Sequence, residues 1–307
     1  MVTPFSATGS LDEHAVHRTI ESLLAAKVDG IFVLGTTGEA ASVPGAIRRR
    51  FVDLAVTQAQ GRALVYAGLN DNCLSDTVEA ANEYFRTGVD AVVALSPFYF
   101  PLQPQELSAY FEELLCRMNG PVILYNIPTT THSSIPIPVL EELVGHPRLA
   151  GIKDSENDEA RLVELMRRLG GRTDFSIFIG VGALMARMLS LGADGIVPSV
   201  GNLVPELCQD LFASVRAGHA AKVEQLHKRM METAMIYQRG HTLGQSLSAL
   251  KTAMSLKGLC EPTMLMPLAN ILPEERERIR QEMLRLGLLA AAPDASLSAG
   301  NLSSNEL

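Results

Sequence analysis

Short apolar runs alternate with amphipathic stretches along most of the chain. Eight runs are candidates for buried strands: residues 2–3, 31–34, 64–67, 91–95, 122–125, 151–153, 177–179 and 195–197. Between them lie patterns of helical periodicity, such as residues 12–26, 44–58, 75–86 and 104–118. This alternation predicts a parallel sheet, and eight evenly spaced units favour a closed (β/α)8 TIM barrel over an open, doubly wound sheet.

Beyond the last apolar run the pattern is entirely helical. The segments are residues 203–216, 220–237, 243–257 and 273–285. The first completes the last β/α unit, and the other three predict a C-terminal extension of three helices. We therefore expect a barrel over residues 1–217, an extension over residues 218–287, and a tail over residues 288–307 whose small and polar sequence is typical of disorder.

Composition narrows the class of protein. Hydrophobic residues make up 47% of the 307 positions and charged residues 20%, which suits one large core. The net charge of −8 argues against a nucleic-acid partner, because such partners need a basic face. The sequence has no export signal and no membrane-spanning apolar stretch, so we expect a cytoplasmic protein. The four cysteines and seven histidines lack metal-binding spacing, and no metal is expected.

In a barrel the chemistry belongs to side chains at the carboxyl ends of the strands. The segment 35–39, Gly-Thr-Thr-Gly-Glu, follows the second run, and its backbone N–H groups and two hydroxyls suit a carboxylate. A plain glycine-rich turn explains that motif equally well. Tyr125 ends the fifth run, where a phenol can carry protons or can simply be a core side chain with a satisfied hydroxyl.

Lys153 is the most unusual residue of the sequence. The chain has six lysines, and this one alone falls between residues 28 and 221, inside an apolar run. Burial disfavours the ammonium form of a lysine and so leaves an amine that can attack a carbonyl. The alternative is a strand-end lysine paired with Asp154 or Glu156.

Read together, four motifs resemble the dihydrodipicolinate synthase/N-acetylneuraminate lyase family, which comprises class I aldolases and dehydratases. They are GTTGE at 35–39, SPFYF at 96–100, YNIP at 125–128 and GIKDS at 151–155. The match in order and spacing runs from residue 1 to about residue 285. Because the chain begins inside the family's first strand, we expect the natural start of the protein to lie upstream of Val2.

The resemblance implies that Lys153 forms an imine with the ketone of a 2-oxo acid, without any other cofactor. It implies that Tyr125 moves protons to and from the substrate, and that Thr37 links this phenol to a second tyrosine. The N–H groups of Thr36 and Thr37, with Gly38 in the same turn, are the expected carboxylate site.

That second tyrosine corresponds to Tyr99, which in relatives crosses a subunit interface. The resemblance therefore implies a homodimer, paired into a homotetramer, in which each site is completed by a neighbour. Val197 matches the family position whose backbone carbonyl approaches the imine, and it is the last expected contact of the substrate.

Two departures from the family pattern narrow the substrate. Dihydrodipicolinate synthases carry an arginine where this chain has Thr130, and losing that contact removes about 1.5–3 kcal/mol of binding to a second carboxylate. Sialic acid lyases carry acidic residues in the loop that is apolar here, Gly180–Leu184. We therefore expect reversible aldol cleavage of a 2-keto-3-deoxy sugar acid or 4-hydroxy-2-oxoglutarate, giving pyruvate or glyoxylate-type products. A synthase or a dehydratase of the same family is the alternative.

Two hypotheses outside the family stay open. The turn Gly180–Ala183 could hold a phosphate, since barrels often bind phosphate after strands seven and eight, and the protein would then be a phosphosugar enzyme. The other hypothesis is a barrel kept only for binding. Borohydride trapping with pyruvate separates such a binder from the lyase, because a binder would not be labelled.

Overall fold

The computed structural model describes residues 1–290, so the tail predicted over residues 288–307 lies almost wholly outside the described residues. Seven parallel strands form one curled sheet in chain order. They are β1 Gly30–Val33, β2 Leu64–Leu69, β3 Ala91–Leu95, β4 Val122–Asn126, β5 Leu149–Asp154, β6 Ser176–Ile179 and β7 Gly195–Ile196. Strand β1 is therefore the second of the predicted strands.

Helices follow the strands and cover the outside of the sheet. They are α1 Glu13–Ala25, α2 Gly45–Ala59, α3 Leu74–Thr87, α4 Pro104–Arg117, α5 Pro128–Thr131, α6 Ile137–Leu143, α7 Glu159–Leu169, α8 Met185–Ser190, α9 Pro205–Arg216, α10 Ala220–Gln238, α11 Leu243–Leu256 and α12 Pro273–Arg285. Local chemistry sets their ends. Asp12 caps α1 by accepting from the Ala15 N–H at 3.0 Å, and α4 begins with a proline, where no N–H is needed.

The middle strands are buried on both faces, as parallel strands under helices usually are. Their register decides which side chains meet. Tyr125 in β4 lies beside Lys153 in β5, and Lys153 lies beside Phe178 in β6. Paired positions of neighbouring strands point the same way, so these three side chains share the inner face of the sheet.

The predicted first strand at Val2-Thr3 is wrong in detail, because these residues form no ladder. The Met1 amine donates to the Phe32 carbonyl, and the Val2 N–H donates to the Asn202 side chain at 2.8 Å. The Thr3 hydroxyl donates to a turn carbonyl at 2.6 Å. The segment thus lies between β1 and the turn after β7, where the eighth strand of a barrel belongs, but side chains and turns take its hydrogen bonds. The architecture is the predicted (β/α)8 barrel with seven strands formed.

The three helices α10 to α12 form the predicted C-terminal extension. Met230, Ala249 and Ile279, one from each helix, belong to the same hydrophobic cluster as the barrel residues Phe51 and Leu165. The extension therefore shares the barrel's core. The boundary at residue 217 stays a prediction, and it falls between α9 and α10. Over the described residues, no helix has both the length and the apolar character that crossing a bilayer requires.

Candidate active site

The Lys153 amine lies inside the barrel, in aromatic surroundings. Only 7% of this residue is exposed. Its Nζ atom is 3.9 Å from the centroid of the Tyr125 ring and 4.8 Å from that of the Phe32 ring. A ring face attracts a cation weakly and offers no proton acceptor as strong as a carboxylate. The site therefore holds an amine without fixing its proton in an ion pair.

The alternative role for Lys153, a structural pair with a nearby carboxylate, does not occur. Successive residues of a strand point to opposite faces, so Asp154 faces away from the barrel interior. There it pairs with Arg161, whose Nη2 atom lies 3.0 Å from Asp154 Oδ2. Arg161 Nε also lies 3.1 Å from Glu156 Oε2. Within residues 1–290, Lys153 takes part in no ion pair.

A buried polar cluster lies behind the ends of β4 and β5. Asn126 donates from Nδ2 to both Asp154 oxygens and to Glu156, each at 3.0 Å. Burial raises the pKa of Asp154, although the Arg161 guanidinium and several hydrogen bonds act in the opposite direction. The sequence reasoning gave Asn126 and Arg161 no role. They tie together the two strands that carry the candidate amine and phenol.

The phenol of Tyr125 is a candidate proton carrier beside the amine. Burial raises the pKa of Tyr125, but the charge of Lys153 and hydrogen bonds with Lys153, Thr36 and Ser155 outweigh burial, so the pKa lies below the ordinary tyrosine value. Its hydroxyl is 3.4 Å from Thr36 Oγ1. A phenol that loses its proton more readily is better suited to act as a general base.

The turn after β1 presents free backbone donors. Residues Thr36–Gly38 form one 3-10 turn, in which the Gly38 N–H donates to the Gly35 carbonyl at 2.9 Å. Within the described chain, the N–H groups of Thr36 and Thr37 have no protein acceptor. These two amides match the predicted carboxylate site. The Gly38 N–H already donates to the Gly35 carbonyl within the turn. Gly38 therefore shapes the turn but cannot donate to a carboxylate.

The structure corrects which threonine meets the phenol. The prediction placed Thr37 between the two tyrosines, but the hydroxyl beside Tyr125 belongs to Thr36. Gly35 makes this arrangement possible, because a Cβ atom there would lie 2.6 Å from the Phe32 ring. That ring is also a wall of the Lys153 site, so the turn and the amine are positioned together.

Tyr99 lies on the surface of the chain. It is 76% exposed and packs edge-on against Phe100, which is 68% exposed, with ring centroids 5.0 Å apart. Its N–H donates to Asn72 Oδ1 at 3.1 Å. Among the residues described, Tyr99 makes no hydrogen bond or ring contact with the turn threonines or with Tyr125. A single chain therefore does not bring the two tyrosines together.

Thr130 and Val197 follow β4 and β7, which are three strands apart in the sheet. Thr130 lies in the short helix α5, where its hydroxyl donates to the Ile127 carbonyl at 3.2 Å, and it lines a cavity together with Thr36. Val197 directly follows β7 and is half-buried, and its N–H donates to the Ile179 carbonyl at 2.9 Å. The predicted contacts of both residues with a substrate stay predictions.

The phosphate hypothesis gains no support from the turn after β6. The Gly182 carbonyl accepts a hydrogen bond from the His227 ring at 2.9 Å, so this turn presents an acceptor. Arg187, the nearest basic residue in the sequence, pairs with Glu159. In the part of the chain that the structure describes, no three histidine, cysteine or acidic side chains come together in a way that could hold a metal ion.

Sequence reasoning missed a second buried lysine. Lys251 in α11 is 1% exposed and pairs with Glu39, which is 3% exposed and follows the Thr36–Gly38 turn. Lys251 also donates to the Thr263 carbonyl at 2.9 Å, and the Leu265 N–H donates to Glu39 at 3.2 Å. The signal that singled out Lys153, a lysine in an apolar segment, was also present at Lys251.

Comparison with known proteins gives consistent results. The profile of the Dihydrodipicolinate synthetase family matches residues 1–285. A protein of Escherichia coli K12 named as the probable 2-dehydro-3-deoxy-D-pentonate aldolase YjhH is 28% identical over 296 residues, which cover 94% of this chain and 97% of that protein.

Solved structures agree in fold. The dihydrodipicolinate synthase of Bacteroides thetaiotaomicron superposes with a TM-score of 0.88 at 31% identity, covering 93% of this chain and 96% of the other. YagE, a prophage protein of Escherichia coli K12 solved in complex with pyruvate, has a TM-score of 0.88 at 25% identity, with coverage of 94% and 97%.

Proposed function

Since the chain belongs to the dihydrodipicolinate synthetase family, we propose that it is a class I lyase that cleaves a 4-hydroxy-2-oxo acid through an imine on Lys153. One observation carries the proposal. The Lys153 amine is buried between two aromatic rings and unpaired with any carboxylate in residues 1–290, while a phenol of lowered pKa lies beside it.

The first stage forms the imine. The neutral amine of Lys153 adds to the C2 ketone of the substrate and gives a carbinolamine. Tyr125 then donates its proton to the departing hydroxyl, which leaves as water, and the nitrogen keeps a double bond to C2. The resulting iminium is an electron sink, which the ketone alone is not.

The second stage breaks the carbon–carbon bond. The Tyr125 phenolate takes the proton from the C4 hydroxyl, an aldehyde leaves, and the C3–C4 electron pair moves into the iminium to give an enamine. Tyr125 gives this proton to C3 of the enamine, which re-forms the iminium. Water then adds at C2, its proton returns to the phenolate, and pyruvate leaves as the Lys153 amine is restored. Each proton that Tyr125 gives is recovered within one turnover.

The turn after β1 holds the acid end of the substrate in this proposal. The unused N–H groups of Thr36 and Thr37 donate to the C1 carboxylate, which fixes C2 relative to the amine. The Thr36 hydroxyl, placed 3.4 Å from the phenol, passes the proton onward. The Val197 carbonyl is proposed to face the imine nitrogen, as the family pattern implies.

The activities of the family differ in the part of the substrate that lies beyond C4. The pentonate aldolase relative supports aldol cleavage, and the sequence favours a 2-keto-3-deoxy sugar acid or 4-hydroxy-2-oxoglutarate. Both substrates contain the 2-oxo acid group and the C4 hydroxyl on which the proposed mechanism acts. The threonine at position 130 offers no charge to a second carboxylate, which weighs against synthase activity.

The exposed aromatic pair of Tyr99 and Phe100 supports an assembled enzyme. Two large aromatic side chains in contact and mostly exposed are typical of an interface rather than of a free surface. We propose a cytoplasmic homodimer or homotetramer in which Tyr99 of the partner subunit completes the proton path at Thr36.

Trapping with borohydride tests the proposal directly. Incubation with pyruvate and sodium borohydride should add a reduced pyruvate adduct to Lys153, located by peptide mass spectrometry. Lys153→Ala should abolish the adduct with an unchanged circular dichroism spectrum. Lys222→Ala is the matched control, because that lysine is exposed on α10. An adduct on another side chain, or none, would refute the mechanism.

A further inference from the structure

A cavity of about 280 Å³ extends the site towards the C-terminal extension. Thr36 and Thr130 line its inner side, and the first turns of α11 line its outer side. Because Thr36 also contacts the Tyr125 phenol, the cavity opens next to the place where the aldehyde forms. This space, here called the distal cavity, lies next to where the substituent beyond C4 of a bound substrate would be in the proposed mechanism.

The walls of the distal cavity are mainly apolar. They are formed by Leu95, Phe98, Leu243, Leu247, Pro267 and Leu268. These side chains come from β3, the loop after it, α11 and the segment before α12. Apolar residues from four separate parts of the chain converge on one cavity, which favours an apolar occupant.

Three of the polar side chains that line the cavity already donate to the backbone. Asn70 donates from Nδ2 to the Leu34 carbonyl at 2.9 Å. The hydroxyls of Thr130 and Thr131 donate to the Ile127 carbonyl at 3.2 and 3.1 Å. A hydroxyl has one proton to donate, so these two threonines offer no donor to a carboxylate.

The charge of the cavity is also neutralised. Among the described residues that line it, Glu39 is the only charged one, and its carboxylate pairs with the buried Lys251. The cavity therefore has no free cation for a second carboxylate. A polyhydroxylated tail would lose its hydrogen bonds with water on entering the cavity. The walls offer few hydrogen-bond partners in return, so its binding is unfavourable.

We infer that the distal cavity selects an aldehyde with an uncharged, apolar tail. This inference rests on the proposed aldolase function and departs from the sugar-acid and dicarboxylate tails that the sequence suggests. An apolar cavity of about 150 Å³ is enough to bind benzene, so the distal cavity can hold a branched alkyl chain or a single ring. The head of the substrate is still a 2-oxo acid bound at Lys153.

A panel of aldehydes tests the inference in the synthetic direction. Pyruvate is supplied with isovaleraldehyde, glyceraldehyde or succinic semialdehyde, which differ in the polarity and charge of the tail, and product is measured by liquid chromatography. Isovaleraldehyde should have the highest kcat/KM, by about tenfold or more, because the polar tails lose hydration without gaining partners.

A charge placed at the cavity provides a second test. Leu243 is 46% exposed at the first position of α11, so Leu243→Arg should fold. We expect its kcat/KM for isovaleraldehyde to fall about tenfold and that for succinic semialdehyde to rise, with pyruvate trapping unchanged. Leu272→Arg is the matched control, because Leu272 is 64% exposed and lies outside the cavity.

The outcomes separate this inference from the proposed function. If pyruvate labels Lys153 but glyceraldehyde or succinic semialdehyde is the preferred partner, the apolar tail is refuted and the lyase stands. The same holds if Leu243→Arg and Leu272→Arg have identical aldehyde preferences. If pyruvate does not label Lys153, both proposals fall.

Discussion

Tyr125 shows how one residue acquires a role from its neighbours. It is buried at the end of β4, which alone would make its phenol harder to ionise. The positive charge of Lys153 and hydrogen bonds reverse that effect, so the pKa is lowered overall. These surroundings are what make this barrel tyrosine a candidate proton carrier.

Removing the hydroxyl of Tyr125 tests this role. Tyr125→Phe should lower kcat for aldol cleavage by about 10²- to 10⁴-fold, because proton transfer to and from the substrate is lost. The fold should persist, since the ring contacts with Phe32 and Lys153 do not need the hydroxyl. Tyr66→Phe, in another inward-facing barrel tyrosine, is the control. A Tyr125→Phe enzyme of normal kcat would remove the phenol from the mechanism.

At the residue scale, sequence pattern found the amine but not the contacts around it. Lys153 could be predicted because a lysine in an apolar strand is rare. The choice between Thr36 and Thr37 could not, since both are threonines in one short turn. Which hydroxyl meets the phenol depends on the backbone angles of that turn, which periodicity does not encode.

At the element scale, the eight helices that were given bounds from the sequence agree with the structure to within two residues at either end, because a period of 3.6 residues marks them. The prediction of 273–285, for example, matches α12 at both ends. The error at Val2-Thr3 has a physical cause. Two β-branched residues satisfy a strand pattern, but a strand needs a continuous backbone ladder, and this segment bonds to side chains and a turn.

The Glu39–Lys251 pair joins the turn after β1 to α11. Its pairing could not be predicted from the sequence, because the two residues lie far apart in the chain. Lys251→Met should lower the free energy of unfolding by about 3–5 kcal/mol, since the Glu39 carboxylate would stay buried without a partner. Adding Glu39→Gln should restore part of this loss. Denaturant titration measures both effects.

The control for this prediction is Lys228→Met, a change of the same kind at an exposed position of α10, which should alter stability by no more than about 0.5 kcal/mol. If Lys251→Met were no more destabilising than Lys228→Met, the pair would contribute nothing to the fold. The double variant separates the cost of an unpaired charge from the loss of packing.

At the scale of the whole molecule, the barrel, its helical extension and the family could be predicted, and all three are confirmed. The assembly could be expected only from the resemblance to the family. Contacts between chains do not produce a hydrophobic periodicity that can be read from one sequence. The exposed pair of Tyr99 and Phe100 is the feature of the single chain that supports the proposed assembly.

Mixing inactive subunits tests whether the site is shared. Tyr99→Phe and Lys153→Ala should each be strongly impaired alone. In mixed dimers, a site with Lys153 receives an intact tyrosine from its neighbour, so random mixing should restore about one quarter of the sites. Mixing Lys153→Ala with Tyr125→Phe is the control, because both changes lie in the same subunit's site and no combination repairs it. Equal activity in the two mixtures, with each variant impaired alone, would mean that Tyr99 serves only its own chain.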